Sequence, residues 1–60
     1  MKVSNRHKGH PCEFAGDHQT LYGYIESVKH GIVTVRYWLA DSNKEGYVAY
    51  VEKSKILAIH

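Results

Sequence analysis

The sequence predicts an all-β domain of five short strands, and three observations carry that prediction. Residues 20–28 and 32–39 are rich in β-branched and aromatic types that alternate with period two. Short polar connections bearing glycine separate the apolar runs. No apolar stripe at helical spacing lasts beyond one turn. Sixty residues hold one domain, and a chain of that size buries only about 60% of its unfolded surface, so its core is marginal.

The elements follow in order. Residues 1–10, MKVSNRHKGH, show no apolar period and read as a flexible basic arm ahead of a folded body over 11–60, with at most a short strand near Val3. Pro11 to Ala15 predicts the first strand, with Cys12 and Phe14 on one face and Pro11 tolerated at its start. Gly16 to Gln19 reads as a loop. Thr20 to Val28 predicts a long second strand, with Leu21, Gly23, Ile25 and Ser27 on one face and Tyr22, Tyr24, Glu26 and Val28 on the other. Both faces carry apolar groups, so the pattern leaves open which is buried. Gly23 inside this strand marks a bulge, a bend or the close approach of another backbone.

Lys29-His30-Gly31 is a tight connection to the strand from Ile32 to Leu39. There Val33, Val35, Tyr37 and Leu39 form the core face, because the opposite set contains Thr34 and Arg36. Ala40 to Gly46 is a polar turn cluster. Gly46 to Val51 predicts a fourth strand, and Glu52-Lys53-Ser54 fits one 3₁₀ turn. Lys55 to Ile59 closes the chain as a fifth strand, with Ile56 and Ala58 opposed to Leu57 and Ile59. A long second strand, a tight central hairpin and a one-turn link before the last strand describe a small SH3-like barrel, which also removes exposed edges. A five-stranded OB-like barrel is the alternative, but there is no room for its usual helix.

The stretch from Cys12 to Ile59 resembles the KOW and Tudor-type SH3-like barrels. The residues that carry the likeness are Glu13-Phe14, Tyr22-Gly23-Tyr24-Ile25-Glu26-Ser27-Val28 and Ile32-Val33-Thr34-Val35-Arg36-Tyr37. The closing Lys55-Ile56-Leu57 adds a similarity to small proteins of Gram-positive bacilli and their phages. Leu21-Tyr22-Gly23-Tyr24 departs from the ALYDY motif of proline-binding SH3 domains, which argues against a PxxP groove. The resemblance implies a binding module without catalytic residues.

Composition narrows the function classes. The chain is 43% hydrophobic and 23% charged, too apolar for a disordered segment. It has no apolar run long enough to span a membrane and no signal-peptide pattern. One cysteine cannot form an internal disulfide, so a cytoplasmic setting is expected. Lys2, Arg6 and Lys8 fall in the first ten residues without an acid, whereas residues 11–60 hold five basic and six acidic side chains, a net of −1. The basicity belongs to the arm and suits phosphates, an acidic protein surface or simple solvation.

Three constellations invite a chemical reading. His7, His10, Cys12 and His18 place four zinc-ligand types within twelve residues, although at irregular spacing. The commoner reading is arm and loop histidines beside a buried thiol, so no cofactor is expected and Zn²⁺ is the weaker alternative. Tyr22, Tyr24, Arg36 and Trp38, with Tyr47 or Tyr50 from the fourth strand, form a candidate partner-binding patch with Tyr47 taken first, because Trp, Tyr and Arg dominate interface energetics. Some of these rings could instead complete the core. Catalysis by Cys12 with a histidine, or by Glu13 with Asp17, lacks a rigid third group and a concave site.

The function expected is therefore a non-enzymatic protein-binding adaptor or inhibitor using an aromatic face and a strand edge. The alternative is a small nucleic-acid-binding domain using Lys2, Arg6, Lys8, Arg36 and Trp38. Pairing of two copies into a homodimer is a third possibility.

Overall fold

The computed structural model describes residues 2–40 and 44–60, so Asp41, Ser42 and Asn43 of the expected 40–46 turn lie outside the described residues. The chain is all-β. Five antiparallel strands form one sheet in the order β4-β3-β2-β1-β5. They are β1 (Pro11–Ala15), β2 (Thr20–Lys29), β3 (Ile32–Tyr37), β4 (Tyr47–Glu52) and β5 (Ile56–Ile59), with single 3₁₀ turns at Asn5–His7 and Lys53–Lys55. No pairing joins β4 to β5, so the sheet is not closed into a barrel and both strands are edges.

One face of the sheet carries the core. Val33 and Val35 are fully buried as their alternation with Thr34 requires, and Phe14, Ile25, Val28, Val51 and Ile56 join them. Tyr37, Leu21, Ala49 and Ile59 pack against this cluster from partly buried positions. The β3 strand stops two residues before its expected end, and Leu39 is exposed rather than in the core. Past Tyr37 the chain leaves the ladder, and the Trp38 indole N–H reaches back to donate to the Lys44 carbonyl at 3.3 Å.

Two bulges resolve the ambiguous strands. On β2, Ile25 pairs with Val35 and Ser27 with Thr34, which leaves Glu26 without an opposite residue. The extra residue reverses the strand's phase, so Ile25 and Val28 both point into the core although they are three apart. On β5, Glu13 pairs with Ala58 and Phe14 with Ile56, leaving Leu57 as the inserted, exposed residue. Ile56 and Ile59 therefore share the core side, where simple alternation sets them on opposite faces. Gly23 is a point of close approach: a Cβ there would lie 2.5 Å from the Arg36 carbonyl oxygen and 2.8 Å from Val35 Cγ1. Any side chain would force β2 and β3 apart.

Residues 2–10 differ most from the expectation of a flexible arm, for they are laid along the second half of β2. Val3 is a core residue, only 2% exposed. The Gly9 N–H donates to the Ile25 carbonyl at 2.7 Å, and the Ile25 N–H donates to the His10 carbonyl at 3.0 Å. Farther along, the Asn5 side chain both donates to the Val28 carbonyl at 2.9 Å and accepts from the Val28 N–H at 3.0 Å. A primary amide thus makes the two bonds that a neighbouring strand would make. It satisfies an edge that β1 is too short to cover.

Candidate functional site

The face of the sheet turned away from the core carries the candidate residues. Directly opposed residues of antiparallel strands share a face, so the pairs Arg36–Val48, Tyr24–Arg36 and Pro11–Tyr24 make one row across four strands. Tyr22, paired with Glu13, lies in the neighbouring row. Tyr22 is 65% exposed, Tyr24 49%, Trp38 45% and Tyr50, opposite Thr34, 76%, so these four large rings stand in solvent on this side. Tyr24 and Trp38 meet edge to face, with ring centroids 6.2 Å apart and an interplanar angle of 77°.

The geometry around Trp38 is set by the β3–β4 connection. Gly46 takes a positive φ of 80°, and a Cβ there would lie 2.8 Å from Trp38 Cε2. The indole therefore rests on bare backbone, pinned also by its bond to the Lys44 carbonyl. Arg36 holds the same loop: its Nη1 donates to the Glu45 carbonyl at 2.8 Å, while its Nε donates to Glu26 Oε2 at 2.7 Å. The hydrogen bond and charge of Glu26 push the guanidinium pKa further up from its already high value. The cation is permanent, and it is neutralised from within the sheet by the one β2 residue that the ladder leaves unpaired.

Of the two tyrosines expected from the fourth strand, Tyr50 reaches this face and Tyr47 does not. Tyr47 lies directly opposite Tyr37, on the core side, and their rings pack at 5.6 Å. Tyr37 in turn meets Phe14 edge to face at 5.5 Å. Tyr47 thus extends the core's aromatic file, and Val48 and Tyr50 are the β4 residues that reach the outer face. Strand alternation contains that signal; the type of residue alone conceals it.

The histidine–cysteine quartet is not drawn together. Cys12 is 1% exposed within the core, paired with Gly23 and Ile59, and burial pushes its thiol pKa up against a smaller lowering by a hydrogen bond to the Gly23 backbone. A thiol held in its neutral form is a poor metal ligand and a poor nucleophile. His7 Nδ1 accepts from the Ser4 N–H at 3.1 Å, and His7 and His10 meet edge to face at 5.6 Å. His18 sits exposed in the β1–β2 loop. Among the described residues no group of three or more His, Cys, Asp or Glu side chains could hold a metal ion.

The basic residues Lys2, Arg6 and Lys8 are exposed on the segment that follows the second half of β2. Arg36 and Trp38 lie level with its first half. No family model, curated protein or solved structure matches the chain. No helix among the described residues is long and apolar enough to cross a membrane.

Proposed function

We propose that the protein is a non-enzymatic binding module whose outer face, built from Tyr22, Tyr24 and Trp38 around Arg36, docks on another protein. The observation that carries this reading is the state of Arg36. Its charge is already paired with Glu26 inside a cluster of exposed rings. A neutralised guanidinium among aromatic groups suits a protein surface, where rings supply contact area at low entropy cost. It suits a phosphate backbone poorly, because each phosphate contact needs a free cation. Such a module works in the cytoplasm without a cofactor, consistent with its one buried thiol.

We also infer that the open sheet belongs with the SH3-like barrels of the KOW and Tudor type. The strand order, the long bulged second strand and the 3₁₀ turn before the last strand support that assignment. An experimental structure with β5 and β4 curled towards one another sharpens it.

The binding test is native mass spectrometry of the untagged chain taken from its own host's lysate. A co-purifying protein that persists at high salt and is lost in Trp38→Ala and Tyr24→Ala is the expected result. A bound oligonucleotide released by salt overturns the reading in favour of nucleic acid, and a mass of two chains favours self-association.

A further inference from the structure

The core side of the sheet is not fully covered. Between the β1–β2 loop and β4 lies an open cleft of about 380 Å³, within the roughly 300–1,000 Å³ range of ligand-binding clefts. Phe14, Leu21 and Tyr37 form its apolar floor, and Ala49 and Val51 one wall. Asp17, Glu52 and Lys55 stand at its rim, so two carboxylates face one ammonium. No ion pair neutralises either carboxylate among the described residues.

The wall strand is an unused edge. The Lys53 N–H donates to the Gly31 carbonyl at 3.1 Å, which continues the β3–β4 ladder by one pair. In an antiparallel ladder, pairs that exchange hydrogen bonds alternate with pairs that do not. Val51, Ala49 and Tyr47 therefore bond to β3, whereas Val48, Tyr50 and Glu52 direct their N–H and C=O groups outward. Tyr50 and Glu52 are also cleft residues. A row of outward backbone donors and acceptors thus runs along an apolar slot with surplus negative charge.

We infer that an extended peptide adds to the outer edge of β4 as a sixth strand, seating an apolar side chain in this cleft and, two residues away, a basic side chain against Asp17 and Glu52. The spacing follows from the period of a strand, since residues i and i+2 share a face. Charge complementarity selects this occupant over a second copy of the chain. The β4 sequence Tyr-Val-Ala-Tyr-Val-Glu carries no cation, so a second copy of β4 laid along this edge would bring no basic side chain of that strand to the two carboxylates. This surface is separate from the outer aromatic face and goes beyond the function proposed for it.

The test is titration of the ¹⁵N-labelled full chain with the acetylated, amidated peptide Thr-Val-Thr-Leu-Thr-Arg-Thr-Val, followed by amide chemical shifts. Saturable shifts at Tyr50, Glu52, Asp17 and Leu21 are expected. Replacing the peptide's arginine with glutamate, or making Asp17→Lys in the exposed loop, should weaken binding by about tenfold. Tyr50→Pro removes one outward donor while sparing the β3 ladder, and it should weaken binding by about tenfold relative to Tyr50→Ala. Trp38→Ala should leave this binding unchanged, so the two surfaces fail independently. No shift at about 2 mM peptide, a level that detects even millimolar affinity, overturns the inference. So do shifts confined to Tyr24 and Trp38, or β4 shifts that grow with protein concentration alone.

Discussion

The two edges of this sheet are built on opposite principles. The β5 edge is four residues long, bulged at Leu57 and tied down at its end. There the His60 N–H donates to the Pro11 carbonyl at 2.8 Å, His60 Nε2 lies 2.6 Å from Glu13 Oε2, and His10 Nδ1 lies 3.1 Å from the His60 carbonyl. The β4 edge is six residues long, has no bulge and borders a cleft. Short, kinked, side-chain-guarded edges resist pairing with other chains, and long regular ones invite it. A sheet of this size needs two ends, and only one is defended. The undefended one is the edge to which the peptide inferred above would add.

The largest expected effect that sharpens this contrast is the loss of β5's anchor. Ile56 is buried beside Phe14, so Ile56→Ala should cost about 3 kcal/mol in urea unfolding. Leu57→Ala, one residue along at the exposed bulge, should cost under about 0.5 kcal/mol. Equal costs would mean that β5 is not held by its core side.

A smaller effect comes from Cys12, which lies on β1 beside β5, paired with Ile59. Burial raises its thiol pKa, so the folded chain keeps a proton that the unfolded chain releases as pH climbs past the ordinary thiol range. The unfolded state then binds fewer protons, and stability falls with rising pH. Below that range both states are protonated and the group contributes no slope. Unfolding free energies measured at about pH 7.5 and about pH 9.5, on either side of the usual thiol pKa, should fall more for the natural chain than for Cys12→Ala. Parallel losses would place the thiol in solvent.

The smallest effect concerns the guard itself. Both partners of the Glu13–His60 contact are partly exposed, and pairs of that kind contribute at most about 1 kcal/mol. Glu13→Gln should therefore speed native-state alkylation of Cys12 by roughly two- to fivefold, because opening β5 uncovers the thiol. An unchanged rate would remove the contact from the account of edge protection.

What the sequence made legible is local. Pro11–Ala15 is found where its composition puts it, and the alternation over 32–37 assigns every side chain of β3 to its observed face. The one-turn link before β5 is likewise present, displaced by one residue. The missing parts are pairings between distant segments. Nothing in MKVSNRHKGH marks Asn5 as the partner of Val28, twenty-three residues away, because an amide that mimics a strand has no periodicity. Glu26 and Leu57 fit strict alternation perfectly well as letters, and only the register against β3 and β1 shows them to be insertions. At the candidate site the aromatic and arginine residues of β2 and β3 were visible. The internal pairing of Arg36 was not, since it depends on the bulge that frees Glu26, whereas the inward turn of Tyr47 lay in the alternation of β4 with Ala49 and Val51.

The bulge at Glu26 makes β2 behave like a text with one inserted letter. Deleting that letter would mend the ladder locally, giving every residue an opposite number. Reading that letter as an ordinary ladder residue opposite Thr34 would instead shift all that follows out of frame, turning Val28 to solvent and Ser27 into the valine core. Holding Glu26 outside the ladder therefore keeps Val28 buried, and its carboxylate is free to hold Arg36 because no partner strand claims its place.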